Sequence, residues 1–67
     1  MSLAEAFTLF RRLGVNAETL SPRDFGIIYF ALAKRYHPDR NPCGSELMAN
    51  INAARAVVLK SYRNSAS

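Results

Sequence analysis

The sequence contains one cysteine and one histidine, and each scarcity excludes something. A single thiol, Cys43, cannot form an internal disulfide. Together with His37 it falls short of the ligand set of a structural zinc site. No metal and no cofactor are therefore expected. The lone thiol suits a reducing compartment such as the cytoplasm. No apolar run approaches the roughly 20 residues that a membrane helix needs, and no signal-peptide pattern opens the chain, so no membrane span is expected. Repeats, low-complexity stretches and the alternating pattern of strands are lacking too. Acidic residues are few: five Asp and Glu against nine Lys and Arg give a net charge of +4 and a pI near 9.9. Such an excess serves solubility, or it fits an acidic partner, protein or nucleic acid.

What remains is one small domain of 67 residues. A domain of this size buries only about 60% of the surface its unfolded chain exposes. With no staple available, helix packing has to hold it, and the fold class is all-α.

Three helices are predicted, over about 3–13, 22–36 and 45–62. In the first, Ser2 and Glu5 fit a capping box. Leu3, Phe7, Phe10 and Leu13 form an apolar stripe, and Gly14 suits a left-handed end with Val15 packing back. "NAETL" reads as a polar connection. In "LSPRDF", Ser21 caps, Pro22 takes the first helical position, Asp24 sits where a capping-box acid belongs, and Leu20 with Phe25 makes a hydrophobic staple. The second stripe is Phe25, Ile28, Tyr29, Leu32 and Tyr36. His37 precedes a proline, which stops the helix. The third helix carries Leu47, Ile51, Ala54, Val58 and Tyr62, with Met48 and Arg55 beside them. Glu46 lies in its first turn, and Lys60 and Arg63 lie in its last. Arg55 falls on the packing side, yet an unpaired buried guanidinium is too costly. Its stem is expected to lie across the core while its head reaches out.

Opposite the second stripe, at 100° per residue, lie Arg23, Ile27, Phe30 and Lys34. This outward face is not simply polar: an aliphatic and an aromatic residue stand between two cations.

The loop "HPDRNPCG", residues 37–44, is more particular than a turn requires. "YHPDRNP", following a helix that carries Tyr29, Leu32 and Ala33, resembles the J-domain of DnaJ-type co-chaperones. "LFRRLGV" is similar to the end of the family's first helix. "MANINAARAVV" is similar to its third, with Met48 in place of the usual phenylalanine and Arg55 in place of a tyrosine, while Ile51, Asn52 and Ala54 match. The resemblance spans nearly the whole chain, which reads as a single domain over 1–67. It implies a small bundle in which the second and third helices form an antiparallel hairpin and the first packs alongside. It implies docking on a DnaK-type heat-shock chaperone and stimulation of that partner's ATP hydrolysis, with no catalytic residue supplied by this chain. His37, Pro38 and Asp39 become the activating triplet, and Lys34, Arg35 and Arg40 the cations beside it.

The residue chemistry points the same way. A loop-tip carboxylate can accept a bidentate, charge-assisted bond from a partner's arginine. Pro38 restricts its own backbone and that of His37, so Asp39 loses less entropy on binding. Neighbouring cations steer toward an acidic surface. Read alone, His37 would suit a helix C-terminus, Asp39 a turn cap, and Cys43 an inert thiol. In family members the outward positions of the second helix carry several cations. Here Gly26, Ile27, Phe30 and Ala31 occupy them, so Ile27 and Phe30 form a candidate patch for an extra partner or for self-association. Two rival readings stay open. One is a small basic nucleic-acid-binding domain, although the third helix offers only Asn50, Arg55 and alanines for base reading. The other is a degenerate J-like assembly module, which the eroded basic face favours and the intact triplet opposes.

Overall fold

The computed structural model describes residues 1–42 and 44–65. These form three α-helices, α1 (Leu3–Arg12), α2 (Pro22–Tyr36) and α3 (Gly44–Ser65), with a single 3-10 turn over Ala17–Thr19 between the first two. No strand occurs among the described residues, and no helix among them is long and apolar enough to cross a membrane.

Local chemistry sets the helix ends. The capping box of α1 is complete: Ser2 N–H donates to Glu5 Oε1 at 3.0 Å and Glu5 N–H donates to Ser2 Oγ at 3.1 Å. Donation from the Ser2 N–H, and then from the Ser2 side chain, favours the charged carboxylate and holds the Glu5 pKa below its ordinary value of 4.5. At the other end Gly14 adopts φ +84°. Gly14 N–H reaches Arg11 O at 3.0 Å and Val15 N–H reaches Phe10 O at 2.9 Å, the paired bonds of a Schellman ending. Ser21 Oγ accepts from Asp24 N–H at 3.2 Å, but the reciprocal half of that box is not formed, since Asp is one methylene shorter than the Glu such a box uses.

Contacts between α2 and α3 run in opposite chain directions, which makes the pair an antiparallel hairpin. Phe25, near the start of α2, meets Tyr62, near the end of α3, with ring centroids 6.0 Å apart. Further along, the Tyr29 hydroxyl donates to Asn52 Oδ1 at 2.6 Å. The Arg55 guanidinium lies over the same Tyr29 ring, 4.7 Å from its centre. Arg55 is exposed rather than buried, as expected, and its head rests on an aromatic face, a favourable position for a cation. Helix α1 lies against α3 and brings Phe10 edge-on to Phe25 at 5.3 Å. Tyr62 also ties the chain before α2 to α3, its hydroxyl donating to Leu20 O at 3.0 Å. Burial pushes the Tyr62 pKa up from 10.0.

The fully buried core is Ala6, Phe10, Ala17, Phe25, Leu32, Ile51, Ala54 and Val58. Phe7, Leu13, Ile28, Tyr29, Tyr36, Leu47 and Met48 pack against it half-buried. Several sequence expectations need correcting. Leu3 is 38% exposed: helical side chains lean toward the N-terminus, so Leu3, in the first turn, points past the end of α1 and away from α3. The buried line of α1 runs instead through Ala6 and Phe10. The "NAETL" connection is partly helical and buries Ala17, with Arg11 and Glu18 bridging back to α1 at 2.8 Å. Helix α1 stops one residue earlier than expected, with Leu13 as its cap. Helix α3 starts at Gly44 and continues to Ser65, so Lys60 lies before its last turn.

Truncating Leu32 to Ala should lower unfolding free energy by about 2–5 kcal/mol in chemical denaturation; a loss under about half a kcal/mol would contradict its core position. A second expectation concerns acid. Because folding depresses the Glu5 pKa, the box contributes fully above the ordinary value of 4.5 and is lost as pH falls through the lower folded value. Thermal melts of Glu5→Gln against the parent should therefore differ most at neutral pH and converge on acidification.

Candidate functional site

The loop after α2 is held by its backbone. His37 leaves the helix at φ −59°, ψ 137°, the extended geometry imposed by the following proline. Its carbonyl then accepts two bonds, from Arg40 N–H and Asn41 N–H, both at 2.9 Å. Gly44 N–H in turn donates to Asn41 O at 2.8 Å, which joins the turn to the start of α3.

Gly44 is a residue whose role sequence reasoning missed. It is buried, and a Cβ placed on it would collide with the Tyr36 carbonyl oxygen and sit 3.2 Å from the carbonyl carbon. A glycine is needed here for close approach of the two helix ends rather than for an unusual φ. The available signal was a glycine abutting the expected start of the third helix.

Asp39 stands at the tip of this turn with its side chain 91% exposed, and the His37 side chain is 57% exposed. The Asp39 N–H donates to His37 Nδ1 over 3.3 Å, which in the neutral ring leaves the proton on Nε2. His37 Nδ1 also lies 3.5 Å from Asp39 Oδ2. Among the described residues no other side chain pairs with the Asp39 carboxylate. It keeps acceptor capacity for an outside donor, on a backbone already fixed by Pro38 and the bonds to His37 O.

The six chaperone-site candidates do not all share one face. His37, Asp39, Arg40 and Lys34 line one shallow cleft of about 540 Å³, together with Ala33 and Phe30. Pro38 is exposed between them. Arg35 does not line this cleft; its guanidinium lies 5.5 Å from the centre of the Tyr36 ring. Phe30, read from sequence as part of a patch with Ile27, lines this cleft as well as the one at Ile27. Its ring lies 5.8 Å from Lys34 Nζ. A second cleft of about 520 Å³ continues along α2, lined by Arg23, Gly26, Ile27, Ala31 and again Phe30 and Lys34. Ala33 was not singled out as a site residue, although its place three after Phe30 and four before His37 puts it on the same helical side.

Among the described residues no group of three or more His, Cys, Asp or Glu side chains is arranged to hold a metal ion. The cleft brings together one exposed carboxylate, an imidazole, two cations and an apolar floor. No protein-family model, curated protein or solved structure matches the chain.

Substituting Gly44 by Ala should cost about 1–3 kcal/mol, because backbone atoms rather than a flexible side chain must move. Denaturant titration checks this; a neutral result would show that the helix ends can separate freely.

Proposed function

We propose that this chain is a J-domain that docks on a DnaK-type chaperone and stimulates its ATP hydrolysis through His37, Pro38 and Asp39. The observation that carries the reading is the exposed Asp39 carboxylate, 91% accessible, on a backbone-locked turn at the end of an antiparallel helical hairpin. The resemblance of "YHPDRNP" and of the flanking helices adds the identity of the partner. In this reading the bundle is J-domain-like and α1 is its first helix.

The proposed mechanism uses binding alone. Lys34 and Arg40 attract an acidic surface and set the approach. Asp39 then accepts a charge-assisted bond from an arginine of the partner. Its restricted backbone reduces the ordering cost. His37 occupies the amide N–H of Asp39 and so helps to fix the turn. The chaperone performs the hydrolysis; this chain contributes no catalytic group and no cofactor. The partner and the single thiol together suit the cytoplasm.

Single-turnover ATP hydrolysis by a DnaK-type chaperone, with and without the chain, is the test. Stimulation should appear with the parent and vanish with Asp39→Asn and with His37→Gln. Both side chains are exposed, so stability should shift by no more than about half a kcal/mol. Full stimulation by both folded variants would overturn the role given to the triplet.

A further inference from the structure

Glu46 is the last acidic residue in the sequence; from there to residue 67 the chain carries Arg55, Lys60 and Arg63 and no acid. All three cations line one cleft of about 590 Å³ on α3, together with Ala56 and Leu59. They are exposed, and among the described residues none of them forms an ion pair. The helix dipole accounts for Arg63, which lies in the last turn, because its pull on a cation fades within that turn. Arg55 stands about 15 Å before the helix end at Ser65, out of its reach. Nor does a dipole require the cations to gather on one side.

Arg55 is already set in place. Its guanidinium rests 4.7 Å from the centre of the Tyr29 ring, and the Tyr29 hydroxyl is held by Asn52. Stacking occupies the face of the guanidinium and leaves its in-plane N–H donors for a carboxylate. Leu59 is half-buried and packs against the core, so it gives the cleft a firm apolar floor.

We infer that this side of α3 is a docking site for an acidic amphipathic helix of a partner protein, with two carboxylates flanking an apolar side chain. Spacing defines the pattern. Arg55 and Arg63 are about 12 Å apart along α3 and about 80° apart around it, with Leu59 halfway on both counts. A helix laid alongside has the same pitch, so an acid, an apolar residue and an acid at i, i+4 and i+8 meet Arg55, Leu59 and Arg63. Antiparallel packing is favoured, since it sets the positive end of the partner's dipole against the C-terminal end of α3. A phosphate backbone fits less well. It has no apolar group to place on Leu59 and Ala56, and three cations supply few of the contacts such binding relies on. A lipid surface needs a broad apolar face, whereas that of α3 is buried in the core through Ile51, Ala54 and Val58. The cleft shares no lining residue with those along α2, so a partner held here leaves the Asp39 loop free.

Fluorescence anisotropy with the whole chain tests the site. The probe is a synthetic alanine- and glutamine-based helical peptide with Glu at i and i+8 and Leu at i+4. It should bind, and its affinity should fall by about tenfold when both Glu are replaced by Gln, the combined effect of two partly exposed ion pairs. Arg55→Gln with Arg63→Gln in the chain should cost a similar factor. A second variant, Lys60→Glu with Arg63→Glu, keeps the Arg55 contact with Tyr29. It should lose the Glu peptide and bind one in which Lys replaces the Glu that faces Arg63. The substituted residues are all exposed, and circular dichroism checks that each variant folds. Equal affinity for the Glu and Gln peptides, or no binding of the Glu peptide up to about 1 mM, would overturn the docking site. Tighter binding of a DNA duplex, with a log–log salt slope near about −2.7 for three phosphates, would overturn it in favour of nucleic acid. Tighter binding of phosphatidylserine vesicles would overturn it in favour of a lipid surface. None of these measurements involves the chaperone, so that reading stands or falls separately.

Discussion

Three aromatic rings, one from each helix, hold this domain together. Phe10 of α1 meets Phe25 of α2 edge-on at 5.3 Å, and Phe25 meets Tyr62 of α3 at 6.0 Å. Edge-to-face pairs of this kind add to the stability gained from burying their area. In a chain of 67 residues with no disulfide to rely on, little else joins all three helices at one place. The Tyr62 hydroxyl extends the junction by bonding to Leu20 O, so the entry to α2 is fixed at the same point. Everything toward the loop end depends on this anchoring, since the direction of α2 against α3 determines where the triplet is presented.

Helix content was legible because each end carried a distinct chemical signal. Ser2 with Glu5, Gly14 with Val15, Ser21 with Pro22, and His37 before Pro38 all act within a few residues and need no tertiary context. Inward positions were legible where large apolar residues repeat, as with Phe10, Phe25, Leu32, Ile51 and Val58. Burial of Ala6 and Ala17 was not. Alanine is compatible with either side of a helix, and only the close approach of neighbouring elements decides. Leu3 failed for the opposite reason: its type suggested burial, but it lies in the first turn of α1, where its side chain is 38% exposed. At the candidate site, the shared side of Phe30, Ala33 and His37 was legible from helical spacing. The need for glycine at Gly44 was not, because it depends on how closely the two helix ends approach.

The cations tell a similar story about context. Sequence offers nine Lys and Arg and suggests a diffuse positive surface. The structure places several of them against partners within the chain: Arg11 on Glu18, Arg35 beside the Tyr36 ring and Arg55 over the Tyr29 ring. Arg55 also shares a cleft on α3 with Lys60 and Arg63. The positive charge that borders the triplet is carried by Lys34 and Arg40, a small and directional group.

The contact of Tyr29 with Asn52 and Arg55 has a mechanical meaning. Helix α3 spans about 27 Å between Tyr62 and Gly44, at ~1.5 Å per residue. A hairpin anchored only at the aromatic end would act as a long lever: a tilt of about 5° would move the loop tip by roughly 2 Å over that length. Recognition geometry tolerates closer to ~0.5 Å. The Tyr29 hydroxyl bond at 2.6 Å places a fulcrum partway along. From Asn52 to Gly44 the remaining length is only about 12 Å, and the close approach of Gly44 to the Tyr36 carbonyl restrains its far end. The position of Asp39 is thus set along the whole hairpin, with its midpoint restraint well away from the loop tip.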